Sequence, residues 1–231
     1  MEEKLTKKGA RSLRAPIRWT LIMAIVFFLA AGRLDIPRAW LAFGIHLMGG
    51  VLGALIMAKL APGLANRRAS LGEGTKAWDK IILLVYFLMV LVASPLVAGL
   101  EAGRLAQPRL GLEFEIIGIV FYLVFFVIVH WAMLTNRHFE SSSRIQKDRE
   151  HQVITQGPYR FVRHPGYVAM ILTALADPLI IGTAYALIPA GCAVIAVIVR
   201  TALEDRMLQN ELEGYAAYAQ KTRSRLIPGI W

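Results

Sequence analysis

The stretch from Ile116 to Leu134 reads IIGIVFYLVFFVIVHWAML, and it decides the class of fold. Its 19 residues include no charged side chain. At 1.5 Å per residue, a helix of about 20 apolar residues crosses the roughly 30 Å hydrocarbon core of a bilayer. The sequence therefore predicts that this stretch is a membrane-spanning helix.

Further apolar stretches on both sides extend this prediction to most of the chain. They comprise residues 17–32, 40–60, 78–100, 167–182 and 184–202. The composition agrees, because 56% of the 231 residues are hydrophobic and 18% are charged, against roughly half and a quarter in soluble domains. Two of these stretches, 17–32 and 167–182, are shorter than a full crossing. We expect an all-α fold, a polytopic transmembrane bundle of about six spans, with five also possible.

The distribution of basic residues predicts the orientation of this bundle. With six spans, 22 of the 26 Lys and Arg residues fall on the side that holds both termini. The other four are Arg33, Arg38, Arg104 and Arg109. Lys and Arg are enriched in cytoplasmic loops, so both termini are expected in the cytoplasm. The small size and the lack of a recognisable targeting segment favour a bacterial inner membrane.

The net charge of +10 is spread over these membrane-flanking loops. In that position it predicts contact with anionic lipid of the bilayer and argues against nucleic-acid binding. No His, Cys or carboxylate group has the spacing of a metal site, so no metal is expected. The oligomeric state is left open.

Two unlike parts make up the chain. Residues 1–134 form a predicted N-terminal region of four spans, in which Gly49, Gly50 and Gly53 are expected to let helices approach closely. Residues 135–231 contain the last two spans and a C-terminal helix, and they are richer in polar, aromatic, Gly and Pro residues. This second part is predicted to be the cytoplasmic catalytic region.

Several breaks are predicted in the second part. The polar connector 136–156 is long enough for a short amphipathic helix. The pairs 157–158 and 164–165 indicate a turn and a helix start, because proline disfavours helix just before itself and suits a first helical turn. The Asp-Pro pair 177–178 predicts a kink or an end within an apolar stretch.

The first candidate motif, QGPYRFVRHPGY, occupies residues 156–167. Arg160 has a simple explanation as an interfacial anchor, since Arg and Tyr commonly lie at membrane surfaces. Pro165 restricts the backbone before it, so the side chains of Arg163 and His164 are expected to point in fixed directions. A fixed Arg–His pair suits an anion such as a carboxylate.

The second candidate motif lies on the last helix. Arg200 and Glu204 are four residues apart and share one face, whereas Asp205 is turned about 100° away. This helix is expected to continue to Tyr218, with Gly214 as a weak point. An ionised side chain at the edge of a span needs a partner or a wet cavity, which favours a functional role for Arg200 and Glu204.

Together the two motifs resemble the isoprenylcysteine carboxyl methyltransferase family. The residues that carry the resemblance are Ile145-Gln146, His151–Tyr159, Arg163–Tyr167, Arg200-Thr201, Glu204-Asp205, Leu208, Gly214-Tyr215, Tyr218 and the ending Arg225–Trp231. The related phospholipid methyltransferases have a similar acidic pair at the position of Glu204-Asp205. The resemblance covers about the last hundred residues.

This resemblance implies a membrane-embedded methyltransferase that uses S-adenosylmethionine without a Rossmann-type domain, and no G-x-G-x-x-G follows a strand here. The acceptor would be a membrane lipid or other lipid-like or prenylated amphiphile, methylated on a carboxylate or an amine. Arg200 and Glu204 are the expected catalytic residues, with Arg200 aiming a carboxylate and Glu204 or His151 helping to deprotonate an amine. The implied cofactor-binding residues are His151, Gly157, Tyr159, Arg163, His164, Pro165, Tyr167, Glu204 and Asp205.

Two other functions stay open at this point. The ending RLIPGIW also resembles the membrane sterol reductases, so an NADPH-dependent oxidoreductase is one alternative. For its phosphate groups, Arg223 and Arg225 would supply only part of a site. A small transporter or a membrane assembly factor is the non-enzymatic alternative. A transporter would place polar or broken helices near mid-bilayer, whereas most polar residues here gather at one face.

Overall fold

The computed structural model describes residues 4–69, 74–105, 110–146 and 150–231, and their regular elements are helical. The ten α-helices are α1 (Lys7–Leu13), α2 (Ala15–Ala31), α3 (Pro37–Leu60), α4 (Pro62–Arg67), α5 (Ala77–Leu88), α6 (Ser94–Arg104), α7 (Leu112–Thr135), α8 (Pro165–Ile181), α9 (Leu187–Glu211) and α10 (Tyr215–Lys221). The predicted all-α bundle is confirmed. Arg109 and residues 147–149 of the connector lie outside the described residues.

Five helical stretches in the described residues are long and apolar enough to cross a membrane. They are Lys7–Ala31, Pro37–Leu60, Ala77–Arg104, Leu112–Thr135 and Leu187–Glu211. The remaining apolar helix, α8, has 17 residues. It still runs between the two ends of the bundle, because the His164 N–H donates to Arg225 at one end and Leu110 donates to Gly182 at the other. The structure thus has five full-length passes and a shorter sixth.

Proline residues lie inside two of these passes without ending them. A π-helical turn, Met89–Ala93, joins α5 to α6 just before Pro95, where proline removes a backbone donor. Pro178 lies inside α8, which continues to Ile181 and ends at Gly182, where φ is 84°. The break predicted at Asp177-Pro178 therefore falls four residues after Pro178, at Gly182.

Small residues allow close helix contacts, but not where the sequence indicated. Gly99 of α6 packs against the backbone of α2, and Gly118 of α7 packs against α8, where a Cβ would lie 2.8 Å from Ile180 N. Gly49 and Gly53 of α3 instead face the Tyr122 hydroxyl and the His130 ring of α7. These two glycines make room for polar side chains rather than for a neighbouring backbone.

Three arginines predicted outside the cytoplasm lie at the end of the bundle away from the termini. Arg38 donates to the carbonyl groups of Ile180 and Leu110 at 2.7 Å. Arg104 donates to Ala30 O at 2.7 Å. Carbonyl groups at helix ends lack intrahelical partners, so Arg38 and Arg104 stabilise this end. Arg33 pairs with a neighbouring carboxylate.

The opposite end holds both described chain ends, the connector and the polar motifs. The described parts of the connector contain no α-helix, so the expected amphipathic helix is not seen there. A 3₁₀ turn at Gly157–Arg160 and the start of α8 at Pro165 confirm the two predicted proline signals. The last helix breaks at Gly214, where φ is 80°, and α10 follows.

Candidate active site

A cavity of about 670 Å³ opens at this end of the bundle. Its polar part is lined by the connector, by the start of α8 and by the last turns of α9. Its apolar part continues between the spans as far as His46 and Tyr122. The volume lies in the range of small-molecule sites, roughly 300–1,000 Å³. One continuous cavity therefore joins a polar pocket to the apolar space between the spans.

The structure brings most of the predicted site residues together around this cavity. Those that line it are His151, Tyr159, Arg163, His164, Pro165, Tyr167, Arg200 and Glu204. Gly157 and Asp205 are not among its lining residues. Gly157 has φ of 57°, and a Cβ there would lie 2.6 Å from Thr135 Oγ1, so this glycine shapes the turn beside the site. The individual roles of these residues stay predictions.

Glu204 is the carboxylate that faces the polar part of the cavity. One of its oxygens, Oε2, accepts short hydrogen bonds from the hydroxyl groups of Tyr167 and Ser143. The Tyr167 ring stacks on His164 with a centroid distance of 5.4 Å. The Arg200 guanidinium lies 4.8 Å from the centroid of the same ring. Glu204 is therefore held in place by fixed neighbours while its side chain stays partly exposed.

Asp205, the next residue, has no exposed surface. Arg163 binds it through two nitrogens at 2.7 and 2.9 Å, and His164 Nε2 lies 3.2 Å from it. The hydroxyl of Tyr215 and the guanidinium of Arg225 donate to it at 3.0 and 2.9 Å. The side chains of Arg163 and His164 are aimed, as Pro165 predicts, but their target is this internal carboxylate. The sequence indicated that both side chains point in fixed directions, but it could not show which group they bind.

Asp79, in the first turn of α5, is a site residue that sequence reasoning missed. It is completely buried and accepts from Arg200 at 2.6 Å and from Ser143 N at 2.8 Å, and the Ser143 Oγ that donates to Glu204 lies 3.0 Å from it. It thereby joins the N-terminal spans to α9 and to the connector. A lone carboxylate at the start of an apolar helix needs a partner, and this signal could have identified it.

One part of the polar wall, formed by His138, His151 and Tyr159, is neutral at physiological pH. Burial, together with the charge of His138, lowers the pKa of His151 to about 4, and the two rings lie 4.8 Å apart. Burial also lowers the pKa of His138, against the effect of a hydrogen bond that its Nδ1 donates to Gln146 Oε1. Burial raises the pKa of Tyr159, whose hydroxyl accepts from Asn136 at 3.1 Å. This wall offers neutral donors, acceptors and ring faces rather than charge.

Comparison with known proteins adds a family to this geometry. Residues 117–210 match the isoprenylcysteine carboxyl methyltransferase (ICMT) family. The search of the curated proteins found no match. Among solved structures, the chain is similar to the eukaryotic intramembrane Ras methyltransferase ICMT, at 14% identity and a TM-score of 0.44, over 94% of this chain and 96% of that one. The matched segment includes Arg200, Glu204, Asp205 and the connector, so this part of the chain is similar to the isoprenylcysteine carboxyl methyltransferases, and the chain is an integral membrane methyltransferase.

Proposed function

We propose that the polar part of the cavity binds S-adenosylmethionine and that the apolar part holds the chain of a lipid-like or prenylated acceptor. The reaction would occur where the two parts meet, at the cytoplasmic face. The observation that carries this proposal is the continuity of one cavity from Glu204 to the apolar space between the spans. Under this proposal residues 135–231 bind the cofactor, and residues 1–134 supply the apolar walls and Asp79.

The groups of the polar part fit the chemistry of this cofactor. Its ammonium or a ribose hydroxyl would bind the Glu204 carboxylate, which is oriented by two hydroxyl donors. The adenine would find ring faces at Tyr159 and Phe139 and neutral polar groups at His151. An aromatic face also attracts a sulfonium through its quadrupole, and Tyr167 presents one. His164 and Arg163 would act on the cofactor by holding the pocket through Asp205.

The apolar part suits a hydrocarbon chain that enters from the bilayer. Its walls come from α2, α3, α5 and α7, and they include Met23, Phe87, Phe125 and Phe126. A hydrocarbon chain that moves from the bilayer core to these walls stays in an apolar environment, so its transfer carries no solvation penalty. A prenyl or acyl chain would therefore bind here, with its polar end at the cofactor pocket.

The site favours a carboxylate over an amine as the methylated group. The bound cofactor supplies a methyl group on a positively charged sulfur, so positioning and exclusion of water give much of the acceleration. A carboxylate needs no general base, whereas an amine must lose a proton. Glu204 is already engaged by the hydroxyl groups of Tyr167 and Ser143, so the proposal assigns it to cofactor binding. We propose that Arg200 aims the carboxylate, because among the described residues its NH1 group makes one hydrogen bond, to Met170 Sδ at 3.8 Å, and has further donor capacity.

Calorimetry on the detergent-purified protein tests this function with S-adenosylhomocysteine and NADPH as parallel ligands. We expect the first to bind and the second not to bind. Glu204→Gln should weaken binding about tenfold or more, since hydrogen bonds to charged groups contribute roughly 1.5–3 kcal/mol. Glu211→Gln, on the same helix but exposed and paired with Lys76, is the matched control. Binding of NADPH alone would reassign the chain to an oxidoreductase, and unchanged affinity in Glu204→Gln would refute the role of that residue.

A further inference from the structure

Arg68 is a cavity-lining cation that the motif analysis did not single out. It follows α4 and belongs to the N-terminal part of the chain, outside the segment that matches the methyltransferase family. Its NH1 group donates to the carbonyl of Phe139 at 3.2 Å, and its guanidinium carbon lies 5.2 Å from the centroid of the Phe139 ring. These contacts orient the guanidinium but bring no negative charge to it.

The other arginines of the inner cavity wall are each paired with a carboxylate. Arg163 is bound to Asp205. Arg200 is bound to Asp79, and Arg144 is bound to Glu140 at 2.7 Å. Among the residues that the structure describes, no carboxylate lies within 4 Å of Arg68. Arg11 and Arg18, which also line the cavity, are exposed side chains.

The surroundings of Arg68 make an uncompensated charge unfavourable. Burial and the positive charge of Arg200 lower the pKa of Arg68 to about 10, and the nearby Glu140 opposes this only in part. A guanidinium binds carboxylates well, because its planar donors match two oxygens at once. An anionic ligand in the cavity would neutralise the positive charge of Arg68.

We propose that Arg68 binds the carboxylate of a ligand of the methyl-transfer site. This inference rests on the proposed function, which supplies two sources of that group, the amino-acid end of the cofactor and the head of the acceptor. Arg163 and His164, which the motif suggested for the cofactor carboxylate, are already bound to Asp205. Arg68 therefore acts as a binding and specificity residue contributed by the part of the chain without family motifs.

Binding measurements on four probes separate the two sources. The cofactor arm uses S-adenosylhomocysteine and its decarboxylated analogue. The acceptor arm uses N-acetyl-S-farnesylcysteine and its carboxamide. The full-length protein is measured in detergent as wild type, Arg68→Gln, Arg68→Lys and Arg14→Gln. Arg14 is exposed at the same end of the bundle and does not line the cavity, so it is the matched control.

In one arm we expect Arg68→Gln to weaken binding of the carboxylate probe about 10- to 100-fold, which corresponds to the loss of a charge-assisted hydrogen bond. The neutral probe of the same arm should change little, Arg68→Lys should restore part of the loss, and Arg14→Gln should have no effect. Loss confined to the first arm identifies the cofactor carboxylate, and loss confined to the second identifies the acceptor. Equal affinities of wild type and Arg68→Gln for both carboxylate probes would overturn the inference. Failure of the wild type to bind S-adenosylhomocysteine would instead remove the proposed function.

Discussion

The buried pair of Asp79 and Arg200 allows a quantitative test of how the two parts of the chain are joined. Asp79 has no exposed surface, and Arg200 is 4% exposed. Their charged atoms lie 2.6 Å apart, across 121 positions of sequence. Removal of one partner from a buried pair leaves an uncompensated charge, which costs roughly 3–5 kcal/mol. Removal of both charges avoids most of this penalty.

We therefore expect Asp79→Asn and Arg200→Gln each to destabilise the protein by about 3–5 kcal/mol. For a chain of this size that lowers Tm by on the order of 10 °C. The double variant Asp79→Asn/Arg200→Gln should be more stable than the sum of the single effects predicts by at least about 3 kcal/mol, because it leaves no uncompensated buried charge. Thermal unfolding in detergent, followed by tryptophan fluorescence, gives the three values relative to wild type.

Strictly additive effects in this cycle would refute the argument, because additivity means that the two side chains do not stabilise each other. Methyl transfer measured on the same variants separates structure from catalysis. If the double variant is stable and still transfers methyl groups at the wild-type rate, the proposed role of Arg200 in aiming the acceptor is wrong. A stable double variant that binds S-adenosylhomocysteine but turns over slowly supports that role.

Two further predictions concern the apolar part of the cavity and its neutral histidine. Ala54→Phe, which places a ring in the cavity, should raise the KM for a farnesylated acceptor and leave S-adenosylhomocysteine binding unchanged. Leu55→Phe, on the exposed surface of the same helix, is the control. Equal kinetics in both variants would contradict the assignment of the apolar part to the acceptor. Burial lowers the pKa of His151 to about 4, so its contribution to stability is present above the unfolded value of about 6.5 and is lost as pH falls toward 4. Tm of the wild type should therefore fall more steeply than that of His151→Gln over this range, and parallel curves would show that His151 does not titrate as described.

The parts of the fold that depend on local sequence could be predicted. The six apolar passes follow from hydrocarbon thickness, and the turn at Gly157 and the helix start at Pro165 follow from backbone restrictions of these residue types. The prediction misplaced the end of α8. The N–H groups of Gly182 and Thr183 both donate to the carbonyl of Pro178 and end the helix there, and the Asp-Pro pair does not indicate this. Gly49 was misinterpreted because its neighbour, the Tyr122 hydroxyl, comes from another helix.

The sequence allowed the residues of the candidate site to be predicted, but not which arginine pairs with which carboxylate. The resemblance to the methyltransferase family placed Arg163, Arg200 and Glu204 around one pocket, and all three line the cavity. Which carboxylate neutralises which arginine depends on contacts between distant segments, such as Asp79 with Arg200. Periodicity carries no information on those contacts, so Arg163 was expected to be available to a ligand although it is bound to Asp205.

These pairs also explain how a methyl-transfer site can be built at a membrane surface. Asp205 and Asp79 each bind an arginine in the wall, so the wall is rigid and nearly neutral before any ligand arrives. Rigid positioning is the main requirement of transfer from an activated sulfonium donor. Glu204, held by hydroxyl groups, and Arg68, held by a ring and a carbonyl, are charges that no internal ion pair neutralises within the described wall. A ligand with both an ammonium and a carboxylate, or two ligands with one each, would complete the charge pairing that the fold leaves open.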